Sequence, residues 1–351
     1  MLLNNRSKIV SVFAGLLGGL ASFSALATDI NGAGATFPYA VYTKWAEAYK
    51  VETSHSVNYQ GIGSSGGIQQ IKAKTVDFGA TDAPLSGDDL NQAGLVQFPA
   101  VMGGATIVFN LAGFKSGDIK LDGVTAADIF RGAITKWNDP AIAKLNSGKK
   151  LPETAITIVH RSDGSGTTFV FTNYLAMQSE SFKKDVGAGK EVNWPAASVG
   201  GKGNPGVAAS VQKIDGAIGY VDYADAMQNN LMFASLKNKA DKFVLPTKEG
   251  MAAAAAHADF EHAAGMAPNL LDQDGATSWP IVSATYILVY GKADDDAHEH
   301  AVLDFYSWSF KHGQQMAGDL GFVALPDNVV KMIESAWAKN IKSQSGAPLW
   351  K

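Results

Sequence analysis

Residues 156–175 read I-T-I-V-H-R-S-D-G-S-G-T-T-F-V-F-T-N-Y-L. Ile156, Thr157, Ile158 and Val159 are β-branched in succession, the make-up of a strand. Asp163-Gly164-Ser165-Gly166-Thr167 is a small-residue turn, and an apolar run carrying Phe169, Tyr174 and Leu175 predicts a helix after it. Strand, glycine turn and helix in that order form the repeating unit of an α/β fold.

The same alternation extends outward along the chain. Ser56–Tyr59, Val76–Phe78, Thr106–Phe109 and Tyr286–Val289 read as further strands. Between them, Val41, Trp45, Ala48 and Tyr49 recur at the spacing of an amphipathic helix. The last quarter is helical, with Leu303, Phe305, Tyr306 and Phe310 on one stripe and Val329, Met332, Ile333 and Trp337 on the next. The alanine run 252–256 also favours helix. The expectation is an α/β fold with largely parallel sheets.

The chain has 351 residues and no cysteine, so disulfides and a lipid on an N-terminal cysteine are both excluded. Residues 1–27 carry Arg6 and Lys8, no acid, an apolar stretch from Ile9 to Leu20 and the ending Ala25-Leu26-Ala27. That pattern predicts a cleaved secretory leader and, with it, the bacterial periplasm. Of the 29 basic residues, Arg6 and Lys8 would go with the leader. The remaining 27 face 33 acids, a formal charge of −6 that argues against nucleic acid as a partner.

Residues 28–351 exceed what one core usually organises, and 46% of the chain is hydrophobic, enough for two. No Pro/Ser-rich linker divides them. The chain is therefore expected to cross between lobes along extended segments, out through Gln97–Gly104 and back through Trp279–Ser283. The expected division is 28–103 with 281–351 as lobe 1 and 104–280 as lobe 2.

Two other turns share the design of the first. Gly32-Ala33-Gly34-Ala35-Thr36-Phe37-Pro38 precedes the Trp45 helix, and Gly61-Ile62-Gly63-Ser64-Ser65-Gly66-Gly67 precedes a short helix with Ile68, Ile71 and Lys72. Each joins glycines, hydroxyls and a helix N-terminus whose first N–H groups lack internal partners, a combination suited to an anion. Taken singly, such turns are ordinary helix caps. Three of one design, with Arg161 beside the third, favour the anion. Arg161 can place two N–H bonds on an oxyanion, and Asp163 is positioned to hold it. Asp82, in Gly79-Ala80-Thr81-Asp82-Ala83-Pro84, is either a surface turn residue or an acceptor. As an acceptor it would suit a protonated oxyanion such as phosphate and oppose sulfate.

These stretches resemble the periplasmic phosphate-binding proteins of bacterial ABC-type (Pst) phosphate uptake systems. The resemblance runs along the whole chain after the leader, in GAGATFP (32–38), VNYQGIGSSGG (57–67), VDFGATDAP (76–84), RSDGSGTTFVFTNYL (161–175), GGKGN (200–204) and GAIGYV (216–221). It implies a two-lobed periplasmic-binding-protein fold of type II with chain crossovers between lobes. It also implies a phosphate site of Ala35, Thr36, Phe37, Ser64, Asp82, Arg161, Ser165, Gly166 and Thr167, with Asp163 supporting. The implied partners are inorganic phosphate and an ABC permease in the inner membrane, with the receptor a monomer and no cofactor. His160 stands where other members often carry arginine. Asp29-Ile30-Asn31-Gly32 resembles the opening of a subgroup to some of which phosphatase activity has been ascribed.

Catalysis has one formal motif, since Gly63–Gly67 satisfies G-x-S-x-G, but no histidine downstream sits in a recognisable context. His160 and Ser165 are candidates for a base and a nucleophile, yet that pairing leaves Gly164 and Gly166 without a role. His257–His262 and Asp294–His300 match no metal motif. The expectation is therefore a receptor without enzymatic activity. The alternatives are a receptor for sulfate, molybdate or a phosphonate, or a secreted phosphatase or esterase.

Overall fold

The computed structural model describes residues 28–351; the expected leader lies outside the described residues. Its strands are β1 (Ile30–Gly34), β2 (Val57–Gly61), β3 (Phe78–Thr81), β4 (Leu95–Phe109), β5 (Lys120–Leu121), β6 (Thr157–Arg161), β7 (Val199–Gly201), β8 (Ala217–Asp222), β9 (Met232–Phe233), β10 (Ser235–Lys237), β11 (Phe243–Val244) and β12 (Val282–Tyr290). Among the described residues they form a nine-stranded sheet, ordered β2-β1-β3-β12-β4-β8-β6-β7 with β9 also on β4, and a three-stranded sheet β11-β10-β5. Helices fill the connections, giving the two-lobed α/β architecture of periplasmic-binding folds.

The expectation of largely parallel sheets needs correction. β1 pairs in parallel with β2 and β3, and β6 with β7 and β8, as helical crossovers require. β12 runs antiparallel to both β3 and β4, and β4 antiparallel to β8 and β9. The reason lies in the path of the chain. β4 carries it outward from the β1–β3 side and β12 brings it back, so the two must run in opposite directions.

β4 is fifteen residues long and nearly all buried. It pairs with β12 from Leu95 to Gly104, then with β8 from Ala105 to Phe109, so one strand serves both halves of the sheet. The ladder slips between Thr285 and Tyr286, opposite Val101 and Pro99. Proline has no N–H to donate there, and a bulge absorbs the defect.

Each half has its own aromatic packing. On the β1–β3 side the helix Tyr39–Thr53 buries Val41, Tyr42, Trp45 and Tyr49, and Trp45 Nε1 donates to the Gly313 carbonyl at 2.9 Å. On the other side Phe171 stacks on Tyr220 with centroids 4.4 Å apart, and Trp137 Nε1 donates to the Gly216 carbonyl. The carboxyl ends of β1, β2 and β3 meet those of β6 and β7 across a cleft, the usual ligand position in open α/β sheets. Backbone contact there is direct: Ser65 N donates to the Gly164 carbonyl at 3.0 Å.

Candidate functional site

The three turns fold as strand-to-helix connections, and hydrogen bonds fix the polarity of their hydroxyls. Ser64 opens the helix Ser64–Lys72 and is fully buried. Its Oγ accepts from Gly166 N at 3.1 Å and from Asp82 N at 3.3 Å. A hydroxyl oxygen has two lone pairs, so Ser64 retains only its proton to offer. Ser165 caps the helix Gly166–Gln178 by accepting from Thr168 N at 3.0 Å. Thr36 Oγ1 accepts from Asn204 N at 3.3 Å, and Thr167 Oγ1 lies 3.5 Å from Arg161 Nη1. All four hydroxyls therefore accept from the protein and are left to donate into the cleft.

These contacts run as a chain: Thr36 to Asn204, Asn204 to Arg161, Arg161 to Thr167, then from neighbouring Gly166 to Ser64 and on to Asp82. The structure thus brings Thr36, Ser64, Asp82, Arg161, Ser165, Gly166 and Thr167 together, all buried. The N–H groups of Thr36, Phe37, Ser64 and Thr167 have no partner among the described residues. Phe37 packs its ring edge-on against Phe322. Ala35 differs: its N–H donates to the Ala80 carbonyl and its own carbonyl accepts from Tyr59 Oη at 2.6 Å. Its backbone braces the turn and has no donor to spare.

Arg161 is 4% exposed and forked onto Asp163, with Nε to Oδ1 at 2.8 Å and Nη2 to Oδ2 at 2.5 Å. Burial alone would raise Asp163, but the hydrogen bonds and charge of Arg161, helped by Gly203 N at 2.9 Å, hold its carboxyl below the ordinary range. The cation is thereby largely balanced within the protein. Asp82 is 2% exposed, so it is no surface turn residue, and its Oδ1 has no partner among the described residues. Burial pushes Asp82 up to about 7, against the opposing pull of the nearby Thr285 hydroxyl and the Arg161 charge. The cage thus presents donors all round and one buried carboxyl whose Oδ1 is left to take a hydrogen bond from a ligand.

Sequence reasoning gave no role to Asn204, Tyr220 or Asp222. Asn204 is fully buried between Arg161 Nη1 (2.7 Å) and Asp222 Oδ2 (2.5 Å). Tyr220 Oη accepts from Arg161 N at 3.2 Å and lies 2.7 Å from Thr168 Oγ1. The GGKGN and GAIGYV stretches were the available signal, since they contain Asn204 and Tyr220. Beside the cage a cavity of about 460 Å³ shares Thr36, Phe37 and Asp163 with it and is rimmed by Tyr39 and Lys202.

The candidate base and nucleophile are not paired, although Ser165 itself lies in the cage. His160 Nδ1 lies 2.8 Å from the Arg161 carbonyl and its ring stacks on Trp194, with no hydrogen bond to Ser165. Burial lowers its basicity. Ser65, the serine of the G-x-S-x-G stretch, has no histidine partner among the described residues. Asp295 caps the helix Asp296–His312, so that acidic run serves a helix start.

Two halves joined by a shared strand, meeting at a buried cage of donors, define a two-lobed periplasmic-binding fold. The family model described as the PBP superfamily domain matches residues 21–312. The phosphate-binding protein PstS of Pasteurella multocida is 52% identical over 338 residues, covering 95% of this chain and 98% of that one. The protein of the same name from Haemophilus influenzae is 50% identical over 91% of this chain and 95% of its own. The chain belongs to the PstS family within the PBP superfamily. The high-affinity periplasmic phosphate-binding protein PfluDING, solved with phosphate, superposes with a TM-score of 0.72 at 22% identity, over 92% of this chain and 96% of that one. The phosphate-binding protein of Stenotrophomonas maltophilia gives 0.66 at 20% identity over the same shares. At those identities the superpositions speak for the fold alone.

Proposed function

We propose that this protein binds inorganic phosphate in the periplasm and delivers it to an ABC-type membrane permease for import. The observation that carries the reading is the polarity of the cage: hydroxyls that each accept from the protein and keep a proton to donate, open N–H groups, and a single acceptor at Asp82. A protonated tetraoxyanion satisfies both kinds of group, whereas sulfate would leave a carboxylate facing an unprotonated oxygen. The names of relatives about half identical over nearly the whole chain support the same assignment.

In this reading lobe 1 (28–103 and 281–351) supplies Thr36, Phe37, Ser64 and Asp82, while lobe 2 (104–280) supplies Arg161, Ser165, Gly166 and Thr167. Ala35 shapes the turn and Asp163 holds Arg161. Phosphate favours closure because the closed cleft alone contacts it from both sides. Hydrogen bonds to ionised groups contribute about 1.5–3 kcal/mol each, so five or six net bonds are enough for micromolar binding or tighter after the cost of closure. The receptor acts as a monomer, without a cofactor, nucleic acid or a catalytic step. The test is calorimetric titration with phosphate and sulfate, beside a chromogenic phosphate-ester assay. Tight phosphate binding, weak sulfate binding and no turnover are expected; sulfate binding as tight as phosphate, or steady ester hydrolysis, overturns the reading.

A further inference from the structure

Both ends of the Asn204 amide are engaged, and its partners fix its orientation. Oδ1 accepts from Arg161 Nη1 at 2.7 Å, because a guanidinium can only donate. Nδ2 donates to Asp222 Oδ2 at 2.5 Å. Asp222 is itself held in place as the cap of the helix Tyr223–Gln228, accepting from Asp225 N at 2.9 Å through its other oxygen. The Asn204 backbone N–H crosses the cleft to Thr36 Oγ1. A brace therefore runs from a helix start through Asp222 and Asn204 to the guanidinium, with a second branch to the opposite lobe.

Arg161 needs such a brace. Its Nε and Nη2 are forked onto Asp163, and a fork can still swing as a unit about the aspartate side chain. The bond from Nη1 to Asn204 removes that freedom and sets where the remaining N–H points. A carboxylate in place of the amide would have no N–H to give Asp222 and would set a negative charge beside the ligand, and a cation would repel Arg161. A neutral amide alone can bridge a donor-only group and an acceptor.

We propose that Asn204 is a positioning residue of the phosphate site, fixing the Arg161 guanidinium and tying it to the closed cleft through Thr36. This rests on the reading of the cage as a phosphate site. A plain structural role, partnering buried Asp222, predicts lower stability without any coupling to Arg161. The two are separated by a double-mutant cycle on the full chain, titrating inorganic phosphate into wild type, Asn204→Ala, Arg161→Ala and the double variant, with the thermal midpoint of each phosphate-free protein recorded. Asn204→Ala is expected to weaken binding about tenfold or more in the wild-type background and less than about twofold when Arg161 is absent. Equal losses in both backgrounds, or no loss in a folded Asn204→Ala protein while Arg161→Ala does lose affinity, overturn this proposal alone. An Arg161→Ala protein that binds phosphate normally overturns the site reading and this proposal with it. If Asn204→Ala does not fold, Asn204→Ser, whose side chain is too short to reach both partners, replaces it in the same cycle.

Discussion

Gly166 and Asp82 meet across the cleft with no space for another atom: a Cβ on the glycine would lie 2.6 Å from Asp82 Oδ2 and 2.5 Å from Ser64 Oγ. Neither neighbour can move aside, since Asp82 is 2% exposed and Ser64 is fully buried. The glycine is what lets the helix N-terminus of one lobe approach the carboxyl of the other. Gly166→Ala should fold, because the helix itself favours alanine by about 1 kcal/mol. Overpacking of the closed cleft costs about 1–3 kcal/mol, so phosphate binding should weaken about five- to 150-fold in calorimetric titration. Unchanged affinity would mean that this closed arrangement is not the binding state.

Asp82→Asn tests how the cage reads protonation. The amide matches the carboxyl in shape but presents an NH₂ that can donate to a bare sulfate oxygen. Phosphate binding should survive while sulfate binding improves, lowering the phosphate-to-sulfate ratio about tenfold or more. Competition titrations on the variant and the wild type measure that ratio. Equal ratios would remove Asp82 from the discrimination.

The same carboxyl should leave a signature in stability. Burial lifts Asp82 from an ordinary 3.8 to about 7. Between those values the folded protein holds a proton that the unfolded chain has released, so raising the pH favours unfolding. The stability of wild type relative to Asp82→Asn, both free of phosphate, should be greatest below about pH 4 and fall until about pH 7, then level off. The interval corresponds to on the order of 4 kcal/mol. Denaturant titrations at several pH values measure the gap, and a gap that does not change with pH contradicts the raised value.

The strand, turn and helix order was legible because it is local: β-branched runs, glycine turns and amphipathic stripes each lie within about a dozen residues. The direction of β4 and β12 was not, because it depends on the chain leaving one lobe and returning much later. Arg161 and Asp163 could be paired from sequence since they are two residues apart. Asn204 reaches Arg161 across 43 positions and Thr36 across 168, and no local pattern encodes such a contact. Ala35 shows the opposite case. It sits inside a turn suited to an anion, yet its N–H goes to Ala80 on β3, a pairing set by the sheet.

Tyr220 offers a way to separate the support of the site from the site itself. Its hydroxyl accepts from the buried N–H of Arg161 and bonds to Thr168 Oγ1, while its ring stacks on Phe171. Burial pushes the phenol up to about 12, so it stays neutral at every relevant pH. Tyr220→Phe keeps the stack and removes the hydroxyl, leaving a buried N–H without a partner, at a cost of about 1–3 kcal/mol in stability. Neither lost bond points into the cage, and the side chain of Arg161 stays clamped by Asp163 and Asn204. Phosphate affinity should therefore remain within about threefold of wild type, under about 0.7 kcal/mol, while the denaturation midpoint drops. A loss of affinity as large as the loss of stability would show that the Arg161 backbone, and not its side-chain clamps, sets the geometry of the cage.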